Sequence, residues 1–263
     1  MPRANRYHIP GCVWHITHRC HKRDFLLKFA RDRRRWIRWL FEASKRYGLS
    51  ILNYMVTSNH IHLVVVDGED PWTIPRSMQL IEGRIAQEYN QRKRRKGAFW
   101  EDRYHAAAIQ TGEHLAQCMV YIDLNMVRAG VVRHPSEWEY CGYKAIQNPP
   151  KRYQVIDRHR TAELLGLRSV DELAKRQRSR IEAILEGGGS VRESKWVKSI
   201  AVGDRAFVEK TMKKLGVKAM HRKITEENGM FVLKEPELPY KANFTPKNRL
   251  LSMQNSHIWN LGL

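Results

Sequence analysis

Ser58-Asn59-His60-Ile61-His62-Leu63-Val64-Val65-Val66 is the stretch whose reading decides the fold. A polar turn followed by an unbroken β-branched and aliphatic run reads as a buried strand. Strand side chains alternate between faces, so His60 and His62 share one face and Ile61 takes the other. Two neutral imidazoles side by side on a strand supply half of a metal site. Ile61, Leu63 and Val65 anchor the same strand in a core, which makes such a site stiffer than one carried on a loop.

Outward from this strand, residues 13–20 read as a first strand and 29–47 as a helix, with Trp36/Leu40 and Ile37/Phe41 as apolar pairs one turn apart. Residues 49–56 form a second strand, joined to the histidine strand by the short connector 57–60, which favours an antiparallel hairpin. A helix over 75–94 and a strand over 104–109 follow. The order β-α-β-β-α-β is that of the split βαβ, ferredoxin-like α+β fold.

The next segment, Gln117-Cys118-Met119-Val120-Tyr121-Ile122-Asp123-Leu124-Asn125-Met126-Val127-Arg128-Ala129-Gly130, reads as one helix, with Thr111 placed to cap its start and Gly130 to stop it. Leu115, Met119, Ile122 and Met126 make its core stripe. Cys118, Tyr121, Asn125 and Arg128 make a neighbouring stripe, with Tyr121 and Asn125 one turn apart. A phenol, an amide oxygen and a guanidinium so aligned suit a nucleophile, a metal ligand and a phosphate clamp. An amphipathic helix with a wet edge has the same pattern.

Taken together, His60-Ile61-His62 and Tyr121-Ile122-Asp123-Leu124-Asn125-Met126-Val127-Arg128-Ala129-Gly130 resemble the HUH single-tyrosine transposases. Within them the chain is similar to the branch associated with repetitive extragenic palindromes (REP), related to the IS200/IS605 group. The resemblance spans roughly residues 5–145 and includes Phe99-Trp100-Glu101-Asp102-Arg103-Tyr104. It implies a catalytic domain over 1–147 with the tyrosine helix laid across the sheet near the histidines. It also implies Tyr121 as nucleophile, a 5′-phosphotyrosine link, and single-stranded or hairpin DNA as substrate. The family usually has proline after the asparagine; Met126 stands there instead and predicts a straighter helix.

Composition points to the same partner. A formal charge of +20 and a pI near 10.1 over 263 residues favour a polyanion such as nucleic acid. No long apolar segment or signal peptide is visible, so no membrane is expected and a cytoplasmic protein is. Cys12, Cys20, Cys118 and Cys141 lack C-x-x-C spacing and read as reduced thiols. Cys12, His15, His18, Cys20 and His21 do not read as a zinc cluster, because His15 and His18 fall on opposite faces of a strand. Arg94, Arg95, Arg103, Trp100 and Arg128 are candidate DNA contacts; Trp72, Tyr104 and Trp138 are further aromatics able to stack on bases.

Asn148-Pro149-Pro150 sets a boundary, leaving 148–263 as a basic, mostly helical region with a DNA-binding or accessory role. There Ser169-Val170-Asp171-Glu172 forms a capping box opening a helix to about Leu185. Residues 187–190 are a flexible break, 204–215 is helical, and 230–233 is a short strand. Residues 161–185 read as helices packed on the core rather than as a helix-turn-helix. The tail 240–263 carries few signals beyond the apolar Ile258-Trp259-Asn260-Leu261.

The expected mechanism is transesterification on single-stranded DNA. His60, His62 and Asn125 hold a divalent ion, Mg²⁺ or Mn²⁺, with imidazole better suited to Mn²⁺. No nucleotide cofactor is needed, since the phosphotyrosine conserves the phosphodiester's energy. The protein acts as monomer or homodimer. The alternatives are a non-catalytic binder of structured nucleic acid on an RRM-like scaffold, and a hydrolase that activates water at the same histidines.

Overall fold

A computed structural model describes residues 8–188, 193–219 and 221–234. The chain runs β1 (Val13–Arg19), α1 (Ala30–Tyr47), β2 (Ser50–Val56), β3 (His60–Val66), α2 (Thr73–Arg92) and β4 (His105–Ile109). These strands lie in the order β2-β3-β1-β4, every neighbour antiparallel, which is the expected α+β, split βαβ arrangement. β3 is paired on both edges, by β2 and β1, and its Ile61, Leu63, Val64 and Val65 are fully buried. Each such side chain stabilises the fold by about 1.5–3 kcal/mol.

α1 and α2 cover one face of the sheet, with Trp36 against Tyr54 and Glu82 against His18. The other face carries α3 (Glu113–Asp123) and the short α4 (Asn125–Arg128). The α3 side reaches β2 through Asn53, whose amide donates to Asp123 Oδ1 at 3.0 Å. α3 starts after Gly112 at φ 71°, with no side-chain cap, so Thr111 does not play the capping role expected of it.

The remaining elements are α5 (Gly142–Gln147), α6 (Arg158–Leu164), α7 (Val170–Glu186), α8 (Lys195–Lys198), β5 (Ala201–Gly203), α9 (Arg205–Leu215), β6 (Lys223–Glu227) and β7 (Met230–Lys234). α7 opens on the expected cap: Ser169 Oγ accepts from the Glu172 amide at 3.1 Å, while the return bond falls one residue early, Glu172 Oε2 accepting from the Arg168 amide at 2.9 Å rather than from Ser169. β5 pairs in parallel with β4, Ala108 opposite Ala201, and β7 and β6 follow outward, giving seven strands among the described residues. β6 and β7 turn through Asn228-Gly229, both at positive φ (50° and 72°), the two-residue hairpin that Asn-Gly favours. The sheet and the core therefore run across the boundary expected at 147/148. Part of the expected break at 187–190 and the whole tail 240–263 lie outside the described residues. Among the described residues no helix is long and apolar enough to cross a membrane.

Candidate active site

β3 brings His60 and His62 onto the face that α3 covers. Register places Arg19 opposite His60 and Thr17 opposite His62. His62 is buried; the two imidazole rings lie 5.1 Å apart, centre to centre, at 80°. Tyr121 comes from α3 of the same chain and sets its ring edge-on to His62 at 6.1 Å. The Asn125 amide nitrogen is 3.1 Å from His62 Nε2. Arg128 lays its guanidinium over the Tyr121 ring at 4.1 Å and donates to the Tyr121 carbonyl at 2.6 Å. The structure thus gathers His60, His62, Tyr121, Asn125 and Arg128 in one place.

The helix carrying them is not the straight one that Met126 predicts. It breaks at Leu124 (φ −80°, ψ 4°), leaving Tyr121 on α3 and Asn125 on α4. Arg128 occupies the Tyr121 carbonyl, the oxygen that the Asn125 amide takes in an unbroken helix. Tyr121 and Cys118 are also buried rather than at a wet edge, Tyr121 partly under Trp196, whose ring lies 6.1 Å away.

The histidines are tied from behind. Asn59 donates from Nδ2 to the Arg23 carbonyl at 3.1 Å, which turns its Oδ1 toward His60 Nδ1 at 2.7 Å. His62 Nδ1 lies 2.9 Å from His15 Nε2, and His15 Nδ1 lies 2.9 Å from the Trp196 carbonyl. Burial, assisted by the charges of His60, His15, Arg128 and Arg19, pushes His62 well below the usual histidine range. Burial likewise takes His15 down to about 3, against the opposing hydrogen bond to Trp196. Both rings are neutral at physiological pH, the state a metal ligand needs.

The donor set fits a divalent cation. With His60 Nδ1 turned to Asn59 and His62 Nδ1 to His15, Nε2 is the nitrogen each ring would offer a cation, and the Asn125 amide can present its oxygen where its nitrogen now faces His62. The 3.1 Å edge matches the spacing of about 3 Å between adjacent ligands around an ion with 2.0–2.2 Å bonds. Among the described residues no group of three His, Cys, Asp or Glu side chains is placed to hold a metal.

The other expected DNA contacts sit between α2 and β4, beside the His60 end of the sheet. Arg94 and Arg103 are exposed there. Arg95 bonds its own loop through Asn90 and the Ala98 carbonyl. Trp100 stacks on His18 at 4.3 Å on the far face of the sheet. Tyr104 is buried, and Trp138 lies under Arg33 at 4.8 Å. The large aromatics left to solvent include Phe25, Phe29 and Trp72, at 65%, 52% and 59% exposure. Phe25 and Phe29 belong to the loop that bonds the turn before His60, through Leu27 amide to Ser58 carbonyl at 2.9 Å. Exposed Lys22, Arg23, Asp24 and Lys28 are their neighbours in sequence, and Lys93 Nζ lies 5.2 Å from the Phe29 ring.

Residues 8–125 match the family described as IS200-like transposases. The match takes in His60, His62, Tyr121 and Asn125 and stops short of Arg128. No curated protein matches the chain. Among solved structures, a REP-associated tyrosine transposase bound to a REP hairpin is similar at 19% identity over 60% of this chain and 94% of its own, with TM-score 0.45. A transposase candidate from Deinococcus radiodurans R1 is similar at 17% identity over 45% of this chain and 94% of its own, with TM-score 0.33.

Two parts of the candidate site escaped sequence reasoning. His15 was assigned to a strand, but only the pairing of β1 with β3 puts it behind His62. Trp196 comes from beyond residue 147, in a segment with no motif. The buried Asp123, held by Asn53 at 3.0 Å and by Gln177 Nε2 at 2.7 Å, links the same helix end to α7.

Proposed function

We propose that this protein cuts and rejoins single-stranded DNA beside a hairpin of the REP type, through a covalent bond to Tyr121. The observation that carries the reading is the perpendicular approach of Tyr121 to His62, with Asn125 at 3.1 Å on the same imidazole, all within one chain. A nucleophile beside two neutral, same-face imidazoles and an amide is an arrangement for attack on a phosphodiester.

In the proposed step the Tyr121 oxygen attacks phosphorus in line. The bond from phosphorus to the 3′-oxygen breaks, the phenol loses its proton, and the 3′-oxygen takes one up as a hydroxyl. The 5′-phosphate stays on Tyr121, so the reverse reaction with another 3′-hydroxyl restores a phosphodiester without a nucleotide cofactor. His60, His62 and Asn125 would hold Mg²⁺ or Mn²⁺, which when bound neutralises charge growing on the phosphate oxygens. Arg128 stiffens the tyrosine by stacking on its ring. Phe25 and Phe29 offer the unpaired strand a stacking platform next to the His60 turn.

The test is incubation of labelled hairpin-bearing single strands with Mn²⁺ or Mg²⁺, read on denaturing gels. Wild type is expected to leave protein attached to a 5′-phosphate, and Tyr121→Phe to bind DNA without forming the adduct. An adduct in the variant assigns the nucleophile elsewhere. Cleavage without any adduct favours a hydrolase, and binding without cleavage favours a non-catalytic nucleic-acid binder.

A further inference from the structure

The histidine pair has a second layer whose hydrogen bonds run in one direction. The Trp196 carbonyl can only accept, so His15 Nδ1 carries the proton of their 2.9 Å hydrogen bond. A neutral imidazole with its proton on Nδ1 has a bare Nε2. That bare nitrogen faces His62 Nδ1 at 2.9 Å, so His62 Nδ1 must donate. The opposite tautomer of His62 would set two lone pairs against each other in a fully buried contact. With its proton on Nδ1, His62 keeps the Nε2 lone pair on the side of Asn125. His60 reaches the same form by a separate route, through Asn59 Oδ1 and the Arg23 carbonyl.

We propose that His15 is a positioning residue of the candidate site, which with the Trp196 carbonyl locks His62 in the tautomer whose Nε2 is free to take a ligand. The rings of His15 and His62 stack at 5.1 Å and 17°, so the relay fixes orientation as well as proton position. The carbonyl that starts the relay is itself held. Trp196 is fully buried and donates its indole N–H to Glu193 Oε2 at 2.7 Å, and Lys195 pairs with Glu193 Oε1 at 2.9 Å. The same tryptophan ring neighbours Tyr121. Residues 193–199 therefore give the site both a wall for the nucleophile and the polarity of a ligand. The region beyond residue 147 thereby acquires a role in the chemistry apart from any contact with DNA.

The inference rests on the reading of His62 as a ligand for its purpose, but not for its measurement. In the full chain, free of metal and DNA, nitrogen-15 spectra of the histidine rings at pH 7.5 are expected to show His15, His60 and His62 all protonated at Nδ1. Signals are assigned by their loss in His15→Gln, His60→Ala and His62→Ala. His15→Gln can keep the relay, since its amide nitrogen donates to Trp196 and its oxygen accepts from His62. His15→Leu cannot. Calorimetry should find Mn²⁺ affinity within about threefold of wild type for the glutamine variant and roughly 10–100-fold weaker for the leucine variant. His60 should keep its tautomer in both. His62 protonated at Nε2 in wild type, or a folded leucine variant that binds Mn²⁺ as tightly as wild type, would overturn the proposal. If the leucine variant does not fold, or wild type takes up no Mn²⁺, the wild-type tautomer alone decides. An inactive protein with His62 protonated at Nδ1 would refute the catalytic reading and leave the relay standing. An active one with His62 protonated at Nε2 would do the reverse.

Discussion

Replacing His15 with glutamine is expected to flatten the acid side of the stability curve by a calculable amount. Burial lowers His15 to about 3 in the folded chain, with His105 adding to the lowering, whereas an unfolded chain holds it near 6.5. Below pH 6.5 the unfolded state takes up this proton and the folded state does not. The stability contribution is therefore complete above pH 6.5 and lost progressively as pH falls toward 3. Between pH 7.5 and 5.0 one such group costs the fold about 2 kcal/mol, and any folded value below about 4 gives the same figure. Other groups mask this in the raw curve. Burial raises Asp123 to about 7 against its bonds to Asn53 and Gln177, so its stabilisation is present in acid and lost as pH rises through 7. The difference between wild type and His15→Gln at two pH values cancels Asp123, and it cancels His62 because burial, the largest cause of its lowering, acts in both proteins. Urea unfolding in chelator at pH 7.5 and 5.0 measures it: wild type should lose about 2 kcal/mol more than the variant. Parallel pH dependence in the two proteins would show that His15 is not held neutral, and would remove the physical basis for the relay.

Three other outcomes follow from the geometry. His62→Ala, or His60→Ala, should abolish Mn²⁺ binding in calorimetry, and unchanged affinity in both variants would eliminate the metal reading. Phe25→Ala and Phe29→Ala should each weaken binding of an unpaired strand, by up to the roughly 1–3 kcal/mol that stacking one base contributes, while duplex binding stays the same in fluorescence anisotropy; equal loss on duplex would show a general rather than a stacking effect. A chain cut after Gln147 loses the strand beside β4 and the buried Trp196, Val202, Val232 and Leu233, each worth about 1.5–3 kcal/mol, and should melt well below the full chain. A fragment that melts with the full chain would establish 1–147 as an independent domain.

The first four strands were legible because local and global signals agree there. The β-branched run after His60, the short connector and the alternating helices admit few other arrangements. The face shared by His60 and His62 needed only the strand period. Cross-strand neighbours were a different matter. His15 sits two residues from Thr17 and so lies on the His62 face, but this follows only once β1 is known to pair with β3 in that register. Of the strands beyond residue 147, β7 was expected at 230–233, whereas β6 was missed for a local reason and β5 for a global one. Asn228-Gly229 is a strong hairpin signal that would have placed β6 against β7. β5 is three residues long and becomes a strand only because β4 and β7 flank it. The aromatics proposed to contact DNA were the least legible, since nothing in the sequence distinguishes Trp100, turned inward onto His18, from Phe25, turned outward.

The break at Leu124 shows how tertiary contacts replace a missing local signal. Leu, Asn and Met carry no strong helix-breaking propensity, so residues 113–129 read as one helix. Two side chains argue otherwise from either end of the break. Arg128 turns back onto the Tyr121 carbonyl at 2.6 Å, a charge-assisted bond that competes with the ordinary backbone one. Asp123 is buried and drawn between Asn53 on β2 and Gln177 on α7, which fixes the last residue of α3 from two sides. Asn125 is then aimed at His62 by the start of a new helix rather than by the pitch of the old one. The proximity of Tyr121 and Asn125 to the same imidazole is thus set by Arg128 and Asp123. Proline is dispensable at position 126 because the kink it would impose is already held by an arginine and a buried carboxyl group.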